Sequence, residues 1–367
     1  MESETIKTFD QLNISTITTM TYSNFNIDIK NLFHLLSITP PHNKIDINTM
    51  KKKDIDKIKL QYNYAEIITI STKSCFRGLL LRRPKKKNCT ICNPTKDKKV
   101  KKSIIEIFED SFSEITLQME GGKVLNIPIT KIMYRCSVCE KTYSPSDVKK
   151  INHFLNQMTI VMSLGVGKTP INIKIFHNGK FTITGCTEQD DAIEVMIILF
   201  KDLAPKLEKE YSIKLTTPFV KNIIEPKKFI FDTVMRNYDF KLGFVLNRSV
   251  LNNIMSNSEY DKFIKLSKYI PTDDTNVKIK MISKKFDDGV DSGFEMLILS
   301  GDELYLESVK INPFDKPKKK VKEELDTFIV FSSSATIFSG RNIKSMEYNY
   351  NIFIDIIKKY KNEIEEK

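Results

Sequence analysis

The clearest pattern in the chain is an alternation of apolar and polar residues that occurs twice. Residues 175–185 and 330–340 align without gaps at an offset of 155 residues. Each copy predicts a strand, a tight turn, a second strand and a glycine, because side chains alternate between two faces along a strand. Asn178-Gly179 is a strong signal for a hairpin turn, and Ser333-Ser334 is a weak one. The sequence therefore predicts two copies of one hairpin.

An amphipathic helix is predicted after each hairpin, over residues 188–203 and 343–360. Apolar residues recur there at spacings of three and four, which places them on one face of a helix. The two apolar stripes consist of Ala192, Val195, Met196, Leu199 and Leu203, and of Met346, Tyr350, Phe353, Ile357 and Tyr360. We expect both helices to cover the same face of a sheet.

A second pair of similar segments lies earlier in each half, at residues 25–32 and 244–251. Asp28 and Asn247 are predicted helix N-caps, because their side chains can accept a hydrogen bond from the first helical turn. Strand-like runs precede both segments, at residues 13–22 and 235–242. Each half thus begins with a strand and a capped helix and ends with a hairpin and a long helix, which indicates an internal duplication.

The first half is longer than the second. Asp28 lies 157 residues before Gly185, whereas Asn247 lies 93 residues before Gly340. We expect the extra residues to form an inserted module. The predicted division assigns residues 1–83 and 171–215 to the first repeat, 84–170 to the insertion, and 216–367 to the second repeat with a smaller insertion at about 283–325.

Composition excludes several classes of protein. The chain has 367 residues, of which 41% are hydrophobic and 28% charged. This is enough apolar material for one large domain or two modest ones, so gross disorder is excluded. Apolar runs such as residues 195–200 are far shorter than the roughly 20 residues of a membrane helix. No signal peptide is recognisable, and we expect an intracellular protein with no membrane partner and with reduced cysteines.

Most of the net charge of +12 is concentrated in one segment. Residues 82–102 contain ten basic residues and one acid, a net charge of +9. Such a run strengthens contact with a phosphate backbone through counterion release. A solvated loop or a localisation signal has the same composition, so these alternatives stay open. A second run, at residues 316–322, is followed at once by Glu323, Glu324 and Asp326, and is interpreted as a linker or a helix start.

Four cysteines within the predicted insertion suit a metal ion. Cys89 and Cys92 form one CxxC pair, and Cys136 and Cys139 form another after a 43-residue spacer. Four thiolates complete a tetrahedral zinc shell with no open position, so the predicted zinc is structural and not catalytic. Two unrelated turns or a redox pair are the alternatives. Cys75 and Cys186 lie in apolar, strand-like surroundings and are predicted to be packing residues.

Enzyme chemistry is not predicted. The histidines are scattered, and none has a serine, cysteine or carboxylate partner at a spacing typical of nucleophilic catalysis.

These elements and their residues resemble the TATA-box-binding protein family of saddle-shaped general transcription factors. Residues 14–17 resemble the first strand, 27–32 the start of the first helix, and 76–82 the strand that carries an intercalating phenylalanine. Residues 175–185 match most closely. The similarity covers roughly a third of the chain.

The resemblance implies an α+β fold: a pseudo-two-fold saddle, with an antiparallel sheet, helices on its convex face, and an inserted zinc-ribbon-like module. In the family, the concave face lies in the DNA minor groove, phenylalanines wedge between base steps, and the threonine before the glycine contacts base edges. Strand parity also places Lys180, Thr182 and Thr184 on one face. The DNA-binding residues implied are Phe76, Arg82, Phe176, Lys180, Thr182, Thr184, Phe331, Ile337 and Ser339.

The chain also departs from the family pattern. Residues 276–281 contain no phenylalanine where a wedge is expected, and the central asparagines are replaced by Leu12 and Thr233. Ala335 stands where the first half has Lys180. We therefore expect the two ends of the saddle to grip DNA unequally. Ordinary core packing is the alternative role for Phe76, Phe176 and Phe331.

The high content of Lys, Ile and Asn, together with a divergent saddle, is similar to the TATA-binding-protein-like factors of large DNA viruses. This resemblance implies a non-enzymatic transcription initiation factor that binds AT-rich minor groove and contacts an RNA polymerase or a partner initiation factor. It also implies a location in the nucleus, in a cytoplasmic viral factory or in the virion. A protein-interaction scaffold that has lost DNA bending is the alternative. A nucleic-acid-modifying enzyme is disfavoured by the closed zinc shell.

Overall fold

A computed structural model describes residues 6–42, 61–72, 75–78, 86–87, 104–118, 124–136, 141–143, 156–219, 226–272, 274–286, 294–310 and 323–366. Within these ranges the chain folds into a large antiparallel sheet and a set of helices. No helix of this described part is long and apolar enough to cross a membrane.

The first half contains eleven strands and three helices among the described residues. The strands are β1 (Ile14–Ser23), β2 (Phe25–Ile27), β3 (Tyr64–Ser71), β4 (Cys75–Gly78), β5 (Lys86–Lys87), β6 (Ile104–Gln118), β7 (Val124–Cys136), β8 (Thr142–Tyr143), β9 (Gln157–Leu164), β10 (Ile171–Phe176) and β11 (Lys180–Cys186). The helices are α1 (Ile29–Leu35), α2 (Asp190–Ile197) and α3 (Ala204–Tyr211). A π-helical segment, Ile198–Leu203, joins α2 to α3 and makes one long helical element.

The second half has its elements in a similar order. Its strands are β12 (Thr216–Pro218), β13 (Lys227–Lys241), β14 (Ile264–Lys268), β15 (Asn276–Ile282), β16 (Phe294–Ser300), β17 (Glu303–Val309), β18 (Leu325–Phe331) and β19 (Ala335–Gly340). Its helices are α4 (Arg248–Met255), α5 (Ile343–Lys359) and α6 (Lys361–Ile364).

Strand pairing follows the same order in both halves, as the predicted internal duplication requires. In the first half the strands lie in the order β3, β9, β10, β11, β1, and in the second half in the order β14, β15, β18, β19, β13. The two sets join through β1 and β13, which pair antiparallel. Phe25 and Phe244 lie 219 residues apart in the similar segments, and the paired residues Ile17 and Arg236 are separated by the same interval. The pseudo-two-fold relation therefore centres on the Ile17–Arg236 pair.

The extra strands enter the two halves at different points. Strands β4 to β8 follow β3, whereas the hairpin β16–β17 lies between β15 and β18. The sequence-based division placed residues 157–164 in the insertion, but β9 pairs with β3 and β10 inside the sheet of the first repeat. It is the counterpart of β15. We therefore propose that the first repeat resumes at Gln157.

The predicted helix caps are confirmed. The Asp28 carboxylate accepts a hydrogen bond of 3.0 Å from the backbone N–H of Asn31, and the Asn247 side chain accepts one of 3.1 Å from Val250. A cap satisfies one of the backbone donors that a helix start leaves open. The two short helices thus begin at equivalent points of the two halves.

The helices cover one face of the sheet, as expected for the α+β class. In the first half Phe181 packs edge-on against Phe200 of the helical element, with ring centroids 5.5 Å apart. In the second half Phe328 stacks on Phe353 of α5 at 4.2 Å. Of the predicted stripes, Ala192, Val195, Met196, Leu199, Met346, Tyr350, Phe353 and Ile357 are buried, whereas Leu203 and Tyr360 are partly exposed.

Candidate nucleic-acid interface

The face of the sheet opposite the helices, called the open face below, carries the predicted strand residues. Lys180, Thr182 and Thr184 of β11 are half-buried, while the intervening Phe181 and Ile183 are fully buried. In β19, Ala335, Ile337 and Ser339 are half-buried in the same alternation. The face assigned from strand parity is therefore confirmed for both hairpins.

Cross-strand register extends this face over the whole first half. Directly paired residues of an antiparallel sheet point to the same side. The row through Thr182 consists of Phe76, Ser71, Thr159, Lys174, Thr182, Met20 and Asp232. A second row consists of Thr69, Val161, Asn172, Thr184, Thr18 and Met235.

The second half continues the open face without a break. The row through Ser339 consists of Leu266, Lys280, Thr327, Ser339, Asn237 and Thr16. The row through Ile337 consists of Lys268, Lys278, Ile329, Ile337 and Asp239. The ten strands of the two repeats thus share one face, which runs from β3 at one side to β14 at the other.

Hydroxyl and amide groups lie at the centre of the open face. Thr184 pairs with Thr18, and Ser339 pairs with Asn237. The Nδ2 of Asn237 donates a 2.8 Å hydrogen bond to Oγ1 of Thr16 across the β1–β13 junction. Sequence reasoning missed Thr16, Thr18 and Asn237. Thr18 and Asn237 are 219 residues apart and are therefore equivalent in the two halves. This interval is the sequence signal that could have identified them.

Lysines predominate over acids in the strand rows. Lysines on the open face include Lys174, Lys180, Lys241, Lys268, Lys278 and Lys280. Asp232 and Asp239 are the acids in the rows described above. The carboxylate of Asp232 lies 2.7 Å from the Arg341 guanidinium, which offsets its charge. Lys180 lies 4.9 Å from the ring centroid of Tyr22. A polyanion would therefore meet a cationic surface.

The three phenylalanines predicted as wedges occupy different settings. Phe176 and Phe331 are the last residues of β10 and β18, and both are half-buried. Phe76 lies in β4 and is only 6% exposed. Because β15 corresponds to β9 and not to β4, Phe76 lies outside the duplicated strands. Neither β9 nor β15 contains a phenylalanine, so the two repeats do not differ in that respect.

Other predicted site residues lie outside the described residues or at their margin. Arg82, Cys89, Cys92 and Cys139 are not among the described residues. Cys136 is the last residue of β7, where its backbone pairs with Ile104. In the described part of the chain, no group of three His, Cys, Asp or Glu side chains is arranged to hold a metal ion. The zinc site therefore remains a prediction from the sequence.

The two remaining cysteines have no zinc-site geometry. Cys186 is fully buried, and burial raises the pKa of its thiol to about 12. Cys75 is half-buried, and its sulfur lies 3.2 Å from the hydroxyl of Thr72. The predicted packing role agrees with the burial of Cys186.

Comparisons with known proteins show a similarity to a viral protein. The chain is 33% identical over 108 residues to a TATA-box-binding protein-like protein of Acanthamoeba polyphaga mimivirus, and the match covers 28% of each chain. The chain thus spans little more than a quarter of that relative. That relative is named as a binding protein and not as an enzyme, in agreement with the expectation that this chain is not an enzyme.

The solved structure of Methanococcus jannaschii TBP is similar over 55% of this chain and 78% of its own, with 16% identity and a TM-score of 0.28. No protein-family model matches the chain.

Proposed function

We propose that the chain is a transcription initiation factor that binds the minor groove of AT-rich double-stranded DNA through the open face. The observation that carries the proposal is the continuous ten-strand face, with hydroxyl and amide groups at its centre and lysines on both sides. The sequence similarity to a viral protein named for TATA-box binding supports it.

The chemistry of the open face suits this groove. In the minor groove, A·T pairs present acceptors at adenine N3 and thymine O2. The hydroxyls of Thr18 and Thr184 and the amide of Asn237 can donate to such acceptors, while lysines contact phosphates. Phe176 and Phe331, at the ends of equivalent strands, are the candidates for insertion between base steps. Helices α2, α3 and α5, on the opposite face, stay accessible to an RNA polymerase or a partner initiation factor.

The four cysteines fit structural zinc by their chemistry. Cys89, Cys92, Cys136 and Cys139 would supply four thiolates, and a zinc ion held by them would stabilise the fold of the inserted module. The basic residues 82–102 surround the first pair, so the module would also bring cations to the phosphate backbone. This function suits a location in the nucleus, in a viral factory or in the virion.

A protein-interaction scaffold is the second candidate. The burial of Phe76 and the absence of a lysine at Ala335 favour it. The first feature removes a side chain that could insert between base steps, and the second removes a cation that could contact DNA. Neither affects the helical face.

The deciding experiment measures binding and bending of a labelled AT-rich duplex by the full chain. The test variant is Thr184→Asp with Ser339→Asp, which adds two negative charges to the open face. The control variant is Ser249→Asp with Asn253→Asp, which makes the same charge change on exposed residues of α4. We expect the first variant alone to lose binding, and a minor-groove-binding drug to compete with the parent. Equal DNA affinity of both variants, or no DNA bending by the parent, would favour the scaffold.

A further inference from the structure

Strand β17 is exposed along almost its whole length. Six of its seven residues are exposed, and Leu304, Tyr305 and Leu306 are 37%, 47% and 55% exposed. Its only strand partner within the described part of the chain is β16. Among the described residues, the other edge of β17 is therefore a free sheet edge, and such an edge can accept a further strand.

The two faces of β17 differ in chemistry. Leu304 and Leu306 pair with Leu299 and Leu297, which belong to the buried core of the first half. The apolar core surface thus continues beyond the helices onto two uncovered leucines. The opposite face carries Glu303, Tyr305 and Glu307, and the Tyr305 hydroxyl donates to the Glu303 carboxylate. Asp302 in the turn adds a third carboxylate.

We propose that β17 is a docking edge for an extended, cationic segment of a partner protein, which adds to the sheet as a strand. Its lysine or arginine side chains would face Glu303 and Glu307, while alternate aliphatic side chains would cover Leu304 and Leu306. Cross-strand pairs of opposite charge and of apolar side chains stabilise such an added strand.

Charge complementarity selects this occupant over two others. The carboxylates of Glu303 and Glu307 would repel a phosphate backbone, so the edge does not extend the DNA surface. A second copy of the chain, paired antiparallel about Tyr305, would set Glu303 against Glu307 of the other copy, and like charges directly opposite are destabilising. The hairpin also has no counterpart in the first half, where the residues between β9 and β10 form a short turn. The inference is independent of DNA binding.

The test uses a nine-residue peptide in which lysine alternates with valine, labelled for fluorescence anisotropy and titrated with the full chain. A peptide of the same composition in blocks is the control for charge alone. Two further peptides carry N-methyl groups on alternate residues, in the two possible registers. An added strand donates hydrogen bonds to β17 from the N–H groups of every second residue. We therefore expect only the peptide whose N-methyl groups replace those N–H groups to lose binding.

Two variants of the chain complete the test, and both change exposed side chains only. Glu303→Lys with Glu307→Lys, and Leu304→Ser with Leu306→Ser, should each weaken the alternating peptide by about tenfold or more. Neither should weaken DNA binding or lower the melting temperature. Equal binding of the block peptide, equal loss from both N-methylated peptides, or no effect of the Glu variants would overturn the proposal. A dimer that dissociates on Leu304→Ser with Leu306→Ser would overturn it in favour of a second copy.

Discussion

Asn237 donates a 2.8 Å hydrogen bond to the hydroxyl of Thr16 where the two halves of the sheet meet. Thr16 and Asn237 form one of two pairs that flank the Ile17–Arg236 centre, and the other is Thr18 with Met235. The two pairs are equivalent under the duplication, but a methionine replaces one polar group. The amide oxygen of Asn237 is buried and accepts no hydrogen bond from described residues. The centre of the open face is therefore asymmetric.

This asymmetry predicts that Asn237 is the principal polar contact of the second half. Asn237→Ala should weaken binding to an AT-rich duplex by about tenfold, because a good contact to a base edge contributes about 1–3 kcal/mol. Thr16→Val removes the hydroxyl that accepts the internal hydrogen bond and should change affinity by less than about threefold. Anisotropy titrations measure both. An equal loss on a GC-rich duplex would contradict a role in base recognition.

The two hairpin turns allow a matched test of the duplication. Gly179 and the equivalent Ser334 both have positive φ, at +71° and +62°. This conformation favours glycine, and it costs other residues about 1–2 kcal/mol. A Cβ at Gly179 would lie 2.2 Å from the carbonyl oxygen of Phe25. We expect Gly179→Ala to lower the free energy of unfolding by at least about 2 kcal/mol, and Ser334→Gly to raise it by about 0.5 kcal/mol.

Urea denaturation of both variants measures these changes. Loss of stability by Ser334→Gly would show that the serine side chain stabilises the turn more than the backbone strain costs.

Much of the repeat was predictable from the sequence because its signals are local. Strand alternation fixed the faces of β11 and β19, and single side chains marked the helix caps at Asp28 and Asn247. The role of β9 was not predictable in this way. Its apolar alternation is typical of any strand, and only its long-range pairing with β3 and β10 places it in the repeat. The same limit applies to Asn237, whose position depends on the partner strand.

The lysines of the outer second-half strands should contribute to phosphate contact. Lys278 and Lys280 lie on the open face of β15. If each neutralises one phosphate, Lys278→Gln with Lys280→Gln should reduce the slope of log K against log salt by about 1.8. Lys206→Gln with Lys358→Gln makes the same charge change on the helical side and should leave the slope unchanged. Equal slopes for both variants would remove β15 from the interface.

The basic run needs a separate measurement. Replacing Lys85, Lys86 and Lys87 by Gln should reduce the same slope by at most about three. An unchanged slope, with altered localisation in cells, would assign the run to a targeting signal instead.

One zinc ion per chain is predicted for the inserted module. Elemental analysis in reducing buffer should find it in the parent, in Cys75→Ser and in Cys186→Ser, but not in Cys136→Ser. Buried Cys186, whose thiol has a pKa of about 12, is the control for a cysteine that does not bind metal. The parent without zinc would contradict the prediction.

Loss of zinc should unfold the module and leave the repeats folded. The guanidinium of Arg77, in β4, donates to the carbonyl oxygens of Phe33 and His34 at 2.6 and 2.8 Å, at the end of α1. These bonds attach β4 to the first repeat independently of the metal. Hydrogen exchange of Cys136→Ser should therefore increase in β6 and β7 and not in β9 to β11. Exchange that increases throughout the sheet would show that the module and the repeats fold as one unit.

The wedge residues allow DNA bending to be separated from stability. Phe176 and Phe331 end equivalent strands and are half-buried, whereas Phe76 is buried. Inserting a side chain between base steps costs a few kcal/mol of unstacking, which is offset only when the bent duplex contacts more protein. Phe176→Ala and Phe331→Ala should therefore reduce bending more than binding, with small changes in melting temperature. Phe76→Ala should instead lower stability by about 3–5 kcal/mol, as for a buried phenylalanine.

Energy transfer between the ends of a labelled duplex, measured beside thermal melts, distinguishes these outcomes. Because Phe176 and Phe331 are equivalent, we expect two kinks, with the weaker one beside Ala335, where the lysine of the first half is missing. Phe331→Leu is the control, since it keeps an apolar side chain that can still insert and should preserve most of the bend. If Phe76→Ala alone abolished bending at parental stability, the ring would have to leave its buried position on binding, and Phe76 would be a wedge residue. If none of the phenylalanine variants changed the energy transfer, the open face would bind DNA without kinking it, and the wedge role would be wrong for this chain.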